Sequence, residues 1–429
     1  MKKIILAALA CTAFVQLAAA QEQPARTYVH AGRLLADPAS GRVETGKTIV
    51  VERGRVIEIR DGYVGEGKVI DLRDAFVMPG FIDSHVHLTM ESSPTSRIDA
   101  VTKSTTDQAF DGVVYAGRTV RAGFTTVVDL GADSEAINAL RDAIATGKVV
   151  GPRIIAAGAV AAHGGHGDIH GYRREILDLF RPQTLCSGAD DCARAVRLAV
   201  QRGADIIKTA STGGVMSNTA AGLGQQMSDA ELVAIVETAH RLGRKVAAHA
   251  HGTDGVNAAL RAGVDSVEHG TYIDAESIRL FKAKGSYLVP TLLAGDTVTQ
   301  QAETADWMPG PVRAKARTVG PLMVDALRRA HQGGVKIAFG TDSAVSKHGE
   351  NGREFALMVK AGMTPLDTIR AATVWGATHI GLEGEVGSLT AGKAADIVAV
   401  RGDPLKDVKQ LETMHFVMKG GVIVRPAGD

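Results

Sequence analysis

The chain has few aromatic residues, almost no net charge and only three cysteines. Aromatic residues make up 4% of the 429 positions, and 48 Lys and Arg against 47 Asp and Glu leave a formal charge of +1. This charge balance gives no general attraction to nucleic acid, so we expect no nucleic-acid partner. The 45% hydrophobic and 22% charged residues are typical of a globular protein. They exclude a disordered chain, a collagen-like fibre and a polytopic membrane protein.

The first twenty residues differ from the rest of the chain. Two lysines precede an apolar run that reaches Leu17, and small residues follow it in the pattern that signal peptidase recognises. The run is too short to be a good membrane span. We therefore expect residues 1–20 to be a signal peptide, with a mature chain that starts near Gln21, has no stable membrane anchor and is exported to a bacterial periplasm or beyond. The alternative is a retained N-terminal anchor.

The pattern of apolar residues predicts an α/β fold with two parts. Both ends, 21–78 and 386–429, show short, glycine-punctuated strands, which predict a small β-sandwich module built from the two chain ends. In the middle, 79–385, strands alternate with amphipathic helices such as 228–243 and 254–263, as in a (β/α)₈ TIM barrel. The alternative is an open doubly wound sheet, but the chain has no glycine fingerprint for a nucleotide. The eight strand candidates are 81–88, 125–131, 153–158, 205–210, 245–251, 266–270, 287–292 and 336–343.

Side chains that commonly bind metal ions stand near the ends of five of these strands. His85 and His87 leave the first strand on the same face, because side chains alternate along a strand. The other four candidates are Lys208 on the fourth strand, His249 on the fifth, His269 on the sixth and Asp342 on the eighth. Any one of them has an ordinary structural explanation. Because barrel strands end at one shared face, however, the set predicts one metal-binding active site.

These motifs resemble the amidohydrolase superfamily of metal-dependent hydrolases, and within it the prolidase-like and ochratoxinase-like carboxypeptidase branch. The resemblance covers essentially the whole mature chain. It implies two divalent metal ions, with zinc expected. One would be held by His85, His87 and Asp342, and the other by His249 and His269. The motifs are MPGFIDSHVHL (78–88), IIKTASTGG (206–214), AHAHG (248–252), VEHG (267–270) and FGTDS (339–343).

The same resemblance implies that Lys208 is carboxylated by carbon dioxide and bridges the two ions together with a hydroxide. A lysine ammonium cannot lie beside two divalent cations, whereas its carbamate is an anionic ligand with two oxygens. The bridging hydroxide would attack the substrate carbonyl. Asp342 would move the proton to the leaving nitrogen. Lys208 and Asp342 are therefore the expected catalytic residues.

Loops after the strands are expected to contact the substrate. The glycine-rich loop 161–168 allows backbone donors to approach a ligand, although a flexible lid explains it nearly as well. His251 faces the same way as His249, which we prefer as the metal ligand because the family pattern places it there. We expect Arg353 and Glu354 to lie on a solvated or interface face. The four histidines expected to contact substrate are His163, His166, His251 and His348.

The leading functional hypothesis is a carboxypeptidase or dipeptidase. It would release a C-terminal amino acid from an N-acyl amino acid or a dipeptide, with ochratoxin A among the candidates. The substrate would be a small molecule or short peptide with a carboxylate next to the scissile amide, and the resemblance suggests a homo-oligomer. One alternative is a cyclic-amide hydrolase resembling imidazolonepropionase, against which Lys208 counts because those relatives are mononuclear. The other is a non-catalytic periplasmic binding protein.

The cysteine count predicts one disulfide. Removal of the signal peptide takes away Cys11 and leaves Cys186 and Cys192 in an oxidising compartment. The alternative is two unpaired thiols on a loop.

Overall fold

The computed structural model describes residues 26–218 and 222–428, so the predicted signal peptide lies outside the described residues. Four strands come first. β1 pairs with β2 in antiparallel and with β4 in parallel orientation, and β2 forms a hairpin with β3. The hairpin turn places Arg53 at φ 49° and Gly54 at φ 77°, a left-handed pair that suits a tight two-residue turn. The strands are β1 (Thr27–Leu34), β2 (Glu44–Glu52), β3 (Arg55–Asp61) and β4 (Lys68–Pro79).

Eight parallel strands follow and form the central sheet. Their neighbours in space are also their neighbours in sequence, apart from a small separate sheet in which β8 (Ala161–Ala162) pairs with β9 (Leu185–Cys186). The eight strands are β5 (Phe81–Val86), β6 (Phe124–Asp129), β7 (Arg153–Ala159), β10 (Ile206–Ala210), β11 (Val246–Ala250), β12 (Ser266–His269), β13 (Tyr287–Val289) and β14 (Lys336–Ile337).

Hydrogen bonds between the first and last strands close this sheet. The amide of Ser84 donates to Phe339 O at 2.8 Å, and the amide of Asp342 donates to His85 O at 2.7 Å. His87 continues the pairing by donating to Ser343 O at 2.8 Å. The chain beyond β14 thus completes the ring of strands, and the predicted (β/α)₈ barrel is confirmed.

The last two barrel strands are shorter than predicted. β13 ends at Val289 instead of 292, because Pro290 has no amide to donate and a helix begins at Leu292. Regular pairing in β14 stops at Ile337, and residues 339–343 then form hydrogen bonds with residues 84–87 at the end of β5. The other six strands lie within about three residues of their predicted limits.

Helices surround the barrel. α6 begins with a capping box in which Ser228 accepts from the amide of Glu231, and α6 and α7 correspond to the predicted helices 228–243 and 254–263. Among the described residues, no helix is long and apolar enough to cross a membrane. A 3₁₀ helix spans Val408–Glu412. The α-helices are α1 (Ser96–Thr102), α2 (Thr105–Arg121), α3 (Ser134–Ala145), α4 (Arg174–Phe180), α5 (Ala189–Gln201), α6 (Asp229–Arg241), α7 (Thr253–Ala262), α8 (Ala275–Lys284), α9 (Leu292–Thr304), α10 (Gly310–Gln332), α11 (Arg353–Lys360), α12 (Pro365–Ala371) and α13 (Val374–Ile380).

The C-terminal strands return to the first four and complete the module. β15 (Ile397–Val400) pairs with β4, and β16 (Phe416–Lys419) and β17 (Val422–Arg425) extend the sheet to seven strands. Apolar side chains from both chain ends share one buried core there, which confirms a β-sandwich module built from the two ends. The domain boundaries at 78 and 386 stay predictions.

A group of phenylalanines joins the barrel wall to α11. Phe81 and Phe124 begin two adjacent strands, and they pack with Phe339 and Phe355 at ring-centroid distances of 4.5 to 5.7 Å. All four are buried. The amino ends of these strands are therefore packed with aromatic rings, which leaves the opposite ends free for polar side chains.

Candidate metal centre

The six predicted metal ligands line one cavity of about 1100 Å³ at the carboxyl ends of the barrel strands. Five different strand ends bring them there. His85 lies on β5, and His87 follows directly after it. Lys208 is on β10, His249 on β11, His269 at the end of β12 and Asp342 just beyond β14.

Asp342 and three of the other side chains form the first half of this site. Asp342 Oδ1 lies 3.0 Å from His87 Nε2 and 3.5 Å from His85 Nε2. Lys208 Nζ lies 3.5 Å from the same nitrogen of His85. Four side chains from three strand ends therefore meet within a few ångströms of one another.

Three histidines form the other half. One ligand atom each from His249, His251 and His269 lies within 4.8 Å of the others, and all three side chains are buried. His85, His269 and Asp342 form a second group of the same size, so the two halves adjoin at His269. Because His251, like His249, lies within 4.8 Å of His269 in this three-histidine group, the preference for His249 over His251 as the ligand stays a prediction.

Hydrogen bonds orient the imidazole rings of His85 and His87 at the end of β5. His85 donates through Nδ1 to Glu268 Oε2 at 2.8 Å, and His87 donates through Nδ1 to Gly131 O at 2.8 Å. The first bond leaves His85 Nε2 as the nitrogen with the lone pair, which is how metal-binding histidines are usually held. Burial would lower the pKa of His87, but the hydrogen bond from its Nε2 to Asp342 raises it on balance, so His87 has to release that proton before it can bind a metal ion. Sequence reasoning missed Glu268, although a carboxylate directly before a predicted ligand was a signal for it.

The backbone is strained at this site. His269 has φ 71°, Asp342 has φ 56° and Thr291 has φ 49°. L-residues rarely adopt such angles, and the surrounding structure must hold them in place. One such support is buried Asp83, whose Oδ2 accepts from Thr341 Oγ1 at 2.7 Å and from Asn351 Nδ2 at 2.8 Å. Burial raises the pKa of Asp83 to about 6, although these hydrogen bonds oppose the shift.

The charges of the site suit metal ions. Burial lowers the pKa of His249 and His269 well below the usual value, so both rings are neutral, as ligands must be. Burial would raise the pKa of Asp342, but the neighbouring His85 and His87 lower it on balance, and the carboxylate stays ionised. Neutral nitrogens around an ionised carboxylate are a donor set that fits divalent metal ions.

Lys208 is unusual in these surroundings. Burial lowers the pKa of its amine, although three nearby carboxylates, the largest effect being that of Glu268, oppose the shift. Within the described ranges, none of the ion pairs includes Lys208, and the hydrogen-bond contact of its amine is with His85 Nε2 at 3.5 Å. The ordinary alternative for such a residue is a snorkelling or salt-bridged lysine at a strand end, and the described residues contain no salt bridge to Lys208.

The four histidines predicted to contact substrate fall into two pairs. His166 and His251 line the cavity, and the ring of His166 lies 4.0 Å from that of His249. Burial lowers the pKa of His166 to about 3, so its ring is neutral. His163 bonds Ser187 Oγ at 2.9 Å, and His348 bonds Met90 O at 2.9 Å. Neither His163 nor His348 is among the described residues that line the cavity. Substrate contact stays a prediction for all four.

The expectation that Glu354 is solvated is wrong. Arg353 is directed outward and pairs with Glu350, but the next residue on α11 lies on its inner face. The side chain of Glu354 is 0% exposed and accepts from the amides of Leu292 and Leu293 at 2.9 and 2.6 Å. Burial raises the pKa of its carboxyl to about 8. The expectation failed because the residues around Glu354 in the sequence are polar, whereas Glu354 itself contacts the start of α9 in the interior.

A disulfide joins Cys186 and Cys192. Cys186 ends β9, whose pairing with β8 closes the base of the segment between them. That segment contributes His166, Ile169 and the residues 179–184 to the cavity lining. The disulfide therefore lies at the base of a loop that forms part of the cavity wall.

Comparison with known proteins identifies relatives along most of the chain. A family model described as "Amidohydrolase family" matches residues 76–424. The chain is 32% identical to the ochratoxinase of Aspergillus niger over 373 residues, which cover 82% of this chain and 76% of that protein.

Solved structures give the same picture. A Xaa-Pro dipeptidase with bound methionine in its active site has 39% identity and a TM-score of 0.88, covering 93% of this chain and 99% of that one. A prolidase complexed with N-methylphosphonate-L-proline has 29% identity and a TM-score of 0.84, and the alignment covers 94% of this chain and 100% of that one. The similarity therefore extends over both the barrel and the strands of the module.

Proposed function

The chain belongs to the amidohydrolase family, and we propose that it is a binuclear metal-dependent carboxypeptidase or dipeptidase. As a family member it is a metal-dependent hydrolase of amide bonds, which excludes the non-catalytic binding protein considered from the sequence. We infer that it releases a C-terminal amino acid from an N-acyl amino acid or a dipeptide, and ochratoxin A is a candidate substrate.

One observation carries this proposal. Lys208 lies in a cavity wall beside a histidine and near an ionised carboxylate, without an ion-pair partner among the described residues. An amine with a lowered pKa is a nucleophile that can react with carbon dioxide. The carbamate would provide, beside Asp342, the second anionic group that this histidine cluster needs around two cations.

The ligand set follows from the two halves of the site. His85, His87 and Asp342 would hold one ion, His249 and His269 the other, and carboxylated Lys208 both. When bound, the ions would lower the pKa of a water molecule and polarise the scissile carbonyl.

Residues of the chain would transfer the proton, orient the metal ligands and contact the substrate. Asp342 lines the cavity and its carboxylate stays ionised, so it would take a proton there and transfer it to the leaving nitrogen. Glu268 and Gly131 hold the rings of His85 and His87 in fixed orientations. His166 and His251 are the cavity residues proposed to contact the substrate.

The size of the cavity and the relatives support the substrate class. A volume of about 1100 Å³ accommodates a dipeptide or a drug-sized N-acyl amino acid. The similar proteins are an ochratoxinase, a Xaa-Pro dipeptidase and a prolidase. We also propose export to the periplasm or beyond, which the disulfide supports because disulfides persist in oxidising compartments.

Lys208 variants test the metal centre. Lys208→Ala should lose metal and nearly all activity, and Lys208→Glu should retain some metal because a shorter carboxylate can bridge imperfectly. Short carboxylic acids should partly restore turnover to the Ala variant, and reconstitution of the metal-free enzyme should depend on bicarbonate. A Lys208→Ala enzyme with two metal ions and the parental rate would rule out the carbamate.

A substrate panel tests the reaction. N-acyl amino acids, dipeptides, ochratoxin A and cyclic amides are incubated with enzyme of known metal content, and amino-acid release is measured. We expect turnover of open-chain amides with two ions per chain. One ion per chain with activity only on cyclic amides would instead support the imidazolonepropionase-like alternative.

A further inference from the structure

The ring of His269 is held by a residue on the following barrel unit. His269 Nδ1 lies 2.6 Å from Thr291 Oγ1, and Thr291 Oγ1 donates to Pro290 O at 2.8 Å. A hydroxyl has one proton, and with that proton directed at Pro290 O the oxygen is an acceptor for His269. This assignment places the His269 proton on Nδ1 and leaves on Nε2 the lone pair that a metal ion would need.

Thr291 makes this contact from an unfavourable backbone conformation. Its φ of 49° lies in the left-handed region, which is a genuine outlier for a β-branched residue. It is also the residue before α9, but its side chain makes no capping bond to the helix. The hydroxyl contacts His269 instead, so another group has to satisfy the free amides of the first turn.

Glu354 is that group. Its two carboxyl oxygens accept from the amides of Leu292 and Leu293 at 2.9 and 2.6 Å, the first two residues of α9. The side chain reaches the helix from α11 and is fully buried, so no water competes for these amides. A carboxyl group from another helix thus performs the capping that Thr291 would otherwise provide.

We propose that Glu354 is a positioning residue for the metal centre: by capping α9 from outside, it keeps Thr291 in its left-handed conformation and thereby holds His269 in the metal-binding tautomer. The inference rests on the proposed function in one respect, the assignment of His269 as a ligand. Glu354 itself touches neither the cavity lining nor the predicted ligands; it acts through the turn that contains Thr291.

If Glu354 were only a helix cap, its variants would behave differently. If Glu354 only stabilised α9, its loss would lower the melting temperature without changing the tautomer of His269 or the rate at which metal leaves. Asp274 provides the matched control, because its carboxylate caps the neighbouring helix α8 by accepting from the amide of Ser277 at 2.8 Å. Asp274 makes no bond to a predicted ligand.

The experiment compares Glu354→Gln with Asp274→Ala in the full mature chain. The comparison is made above pH 8, where Glu354 is a carboxylate with two accepting oxygens. Glutamine has one acceptor oxygen and an amide group that cannot accept, so only one of the two helix amides stays satisfied. Nitrogen-15 NMR of labelled histidines reads the tautomer in metal-free protein, with the His269 signal assigned by its loss in His269→Asn. Zinc release into excess chelator is then timed in the loaded protein.

We expect Glu354→Gln to lose the Nδ1–H signature of His269 and to release zinc about ten- to a hundredfold faster, as loss of a ligand's orienting partner does. Thr291→Val should match it, and Thr291→Ser should behave as the parent. Asp274→Ala should lower only the melting temperature. If Glu354→Gln does not fold, Glu354→Asp, which is one methylene too short to reach both amides, is read in the same way.

Two results would overturn the proposal. One is a parental His269 tautomer in the Glu354 variant, and the other is zinc release equal to that of Asp274→Ala. The tautomer is measured without metal, so it decides the role of Glu354 even if the parent enzyme binds no zinc. Failure of the metal centre and failure of this inference are therefore distinguishable.

Discussion

Removal of the Glu268 carboxylate should weaken metal binding without unfolding the barrel. Glu268 is 0% exposed and lies on β12, directly before His269. Its Oε2 accepts from His85 Nδ1 at 2.8 Å and its Oε1 from Ser266 Oγ at 2.6 Å. Burial would raise the pKa of Glu268, but the hydrogen bond and charge of His85 lower it on balance, so the group is a carboxylate.

The size of the effect follows from the bond that is lost. A hydrogen bond to a charged group contributes about 1.5–3 kcal/mol, and about 1.4 kcal/mol corresponds to tenfold in affinity. Glu268→Ala leaves His85 Nδ1 and the Ser266 hydroxyl unpaired, so metal affinity should fall roughly ten- to a hundredfold. Glu268→Gln keeps a neutral acceptor, which is about half as strong, and its loss should be nearer tenfold.

Competition with a chromophoric chelator measures the dissociation constant of zinc for each metal-free variant. Asp396→Asn is the control, because Asp396 is a buried carboxylate of the module that accepts from Arg153 at 3.0 Å and from the amide of Gly420 at 2.7 Å. The control should lose thermal stability but keep the parental zinc affinity. Parental affinity in Glu268→Ala would refute the argument that this carboxylate orients His85 for metal.

Three further predictions concern substrate, thiols and pH. Amidation of the carboxylate next to the scissile bond should lower kcat/KM about ten- to a hundredfold, because a charge-assisted contact is lost; equal rates on acid and amide would contradict a carboxylate subsite. Titration of the unfolded, unreduced mature protein should find no free thiol, whereas two per chain would mean that Cys186 and Cys192 are unpaired in the isolated protein. Burial raises the pKa of Glu354 from 4.5 to about 8, so the folded state binds the carboxyl proton more tightly than the unfolded state does. The stability that Glu354 contributes in this way is complete below pH 4.5 and is lost as pH rises through 8. Urea unfolding between pH 5 and 8 should therefore show the parent losing about 3.5 kcal/mol relative to Glu354→Gln; parallel curves for the two proteins would exclude the raised pKa.

Local sequence patterns were sufficient for the barrel and for the location of its site. Strand-length apolar runs that alternate with amphipathic helices specify a parallel sheet, and a parallel sheet of eight such units closes into a barrel. Residues at the ends of its strands then have to converge, which is why His85, Lys208 and Asp342 line one cavity. The short β13 shows the limit of this reasoning, because one proline and a helix start ended the strand early.

The supporting residues could not be read in the same way. Whether Glu354 lies in solvent or in the core depends on which face of α11 meets the start of α9, and those segments are about sixty residues apart. The same holds for His163 and His348, whose hydrogen bonds to Ser187 Oγ and to Met90 O join separate segments of the chain. Nothing in a local pattern encodes these distant contacts.

The sequence by itself determined the fold class, the family and the strand ends that carry the candidate ligands, because hydrophobic periodicity and motif spacing are local properties of the chain. Only the tertiary structure decided which ring nitrogen of His85 and of His269 is free. That choice depends on Glu268 and Thr291, hydrogen-bond partners brought from other strands and turns. A side chain's chemical type is encoded at its own position, whereas its protonation and orientation are set by the groups that folding packs around it.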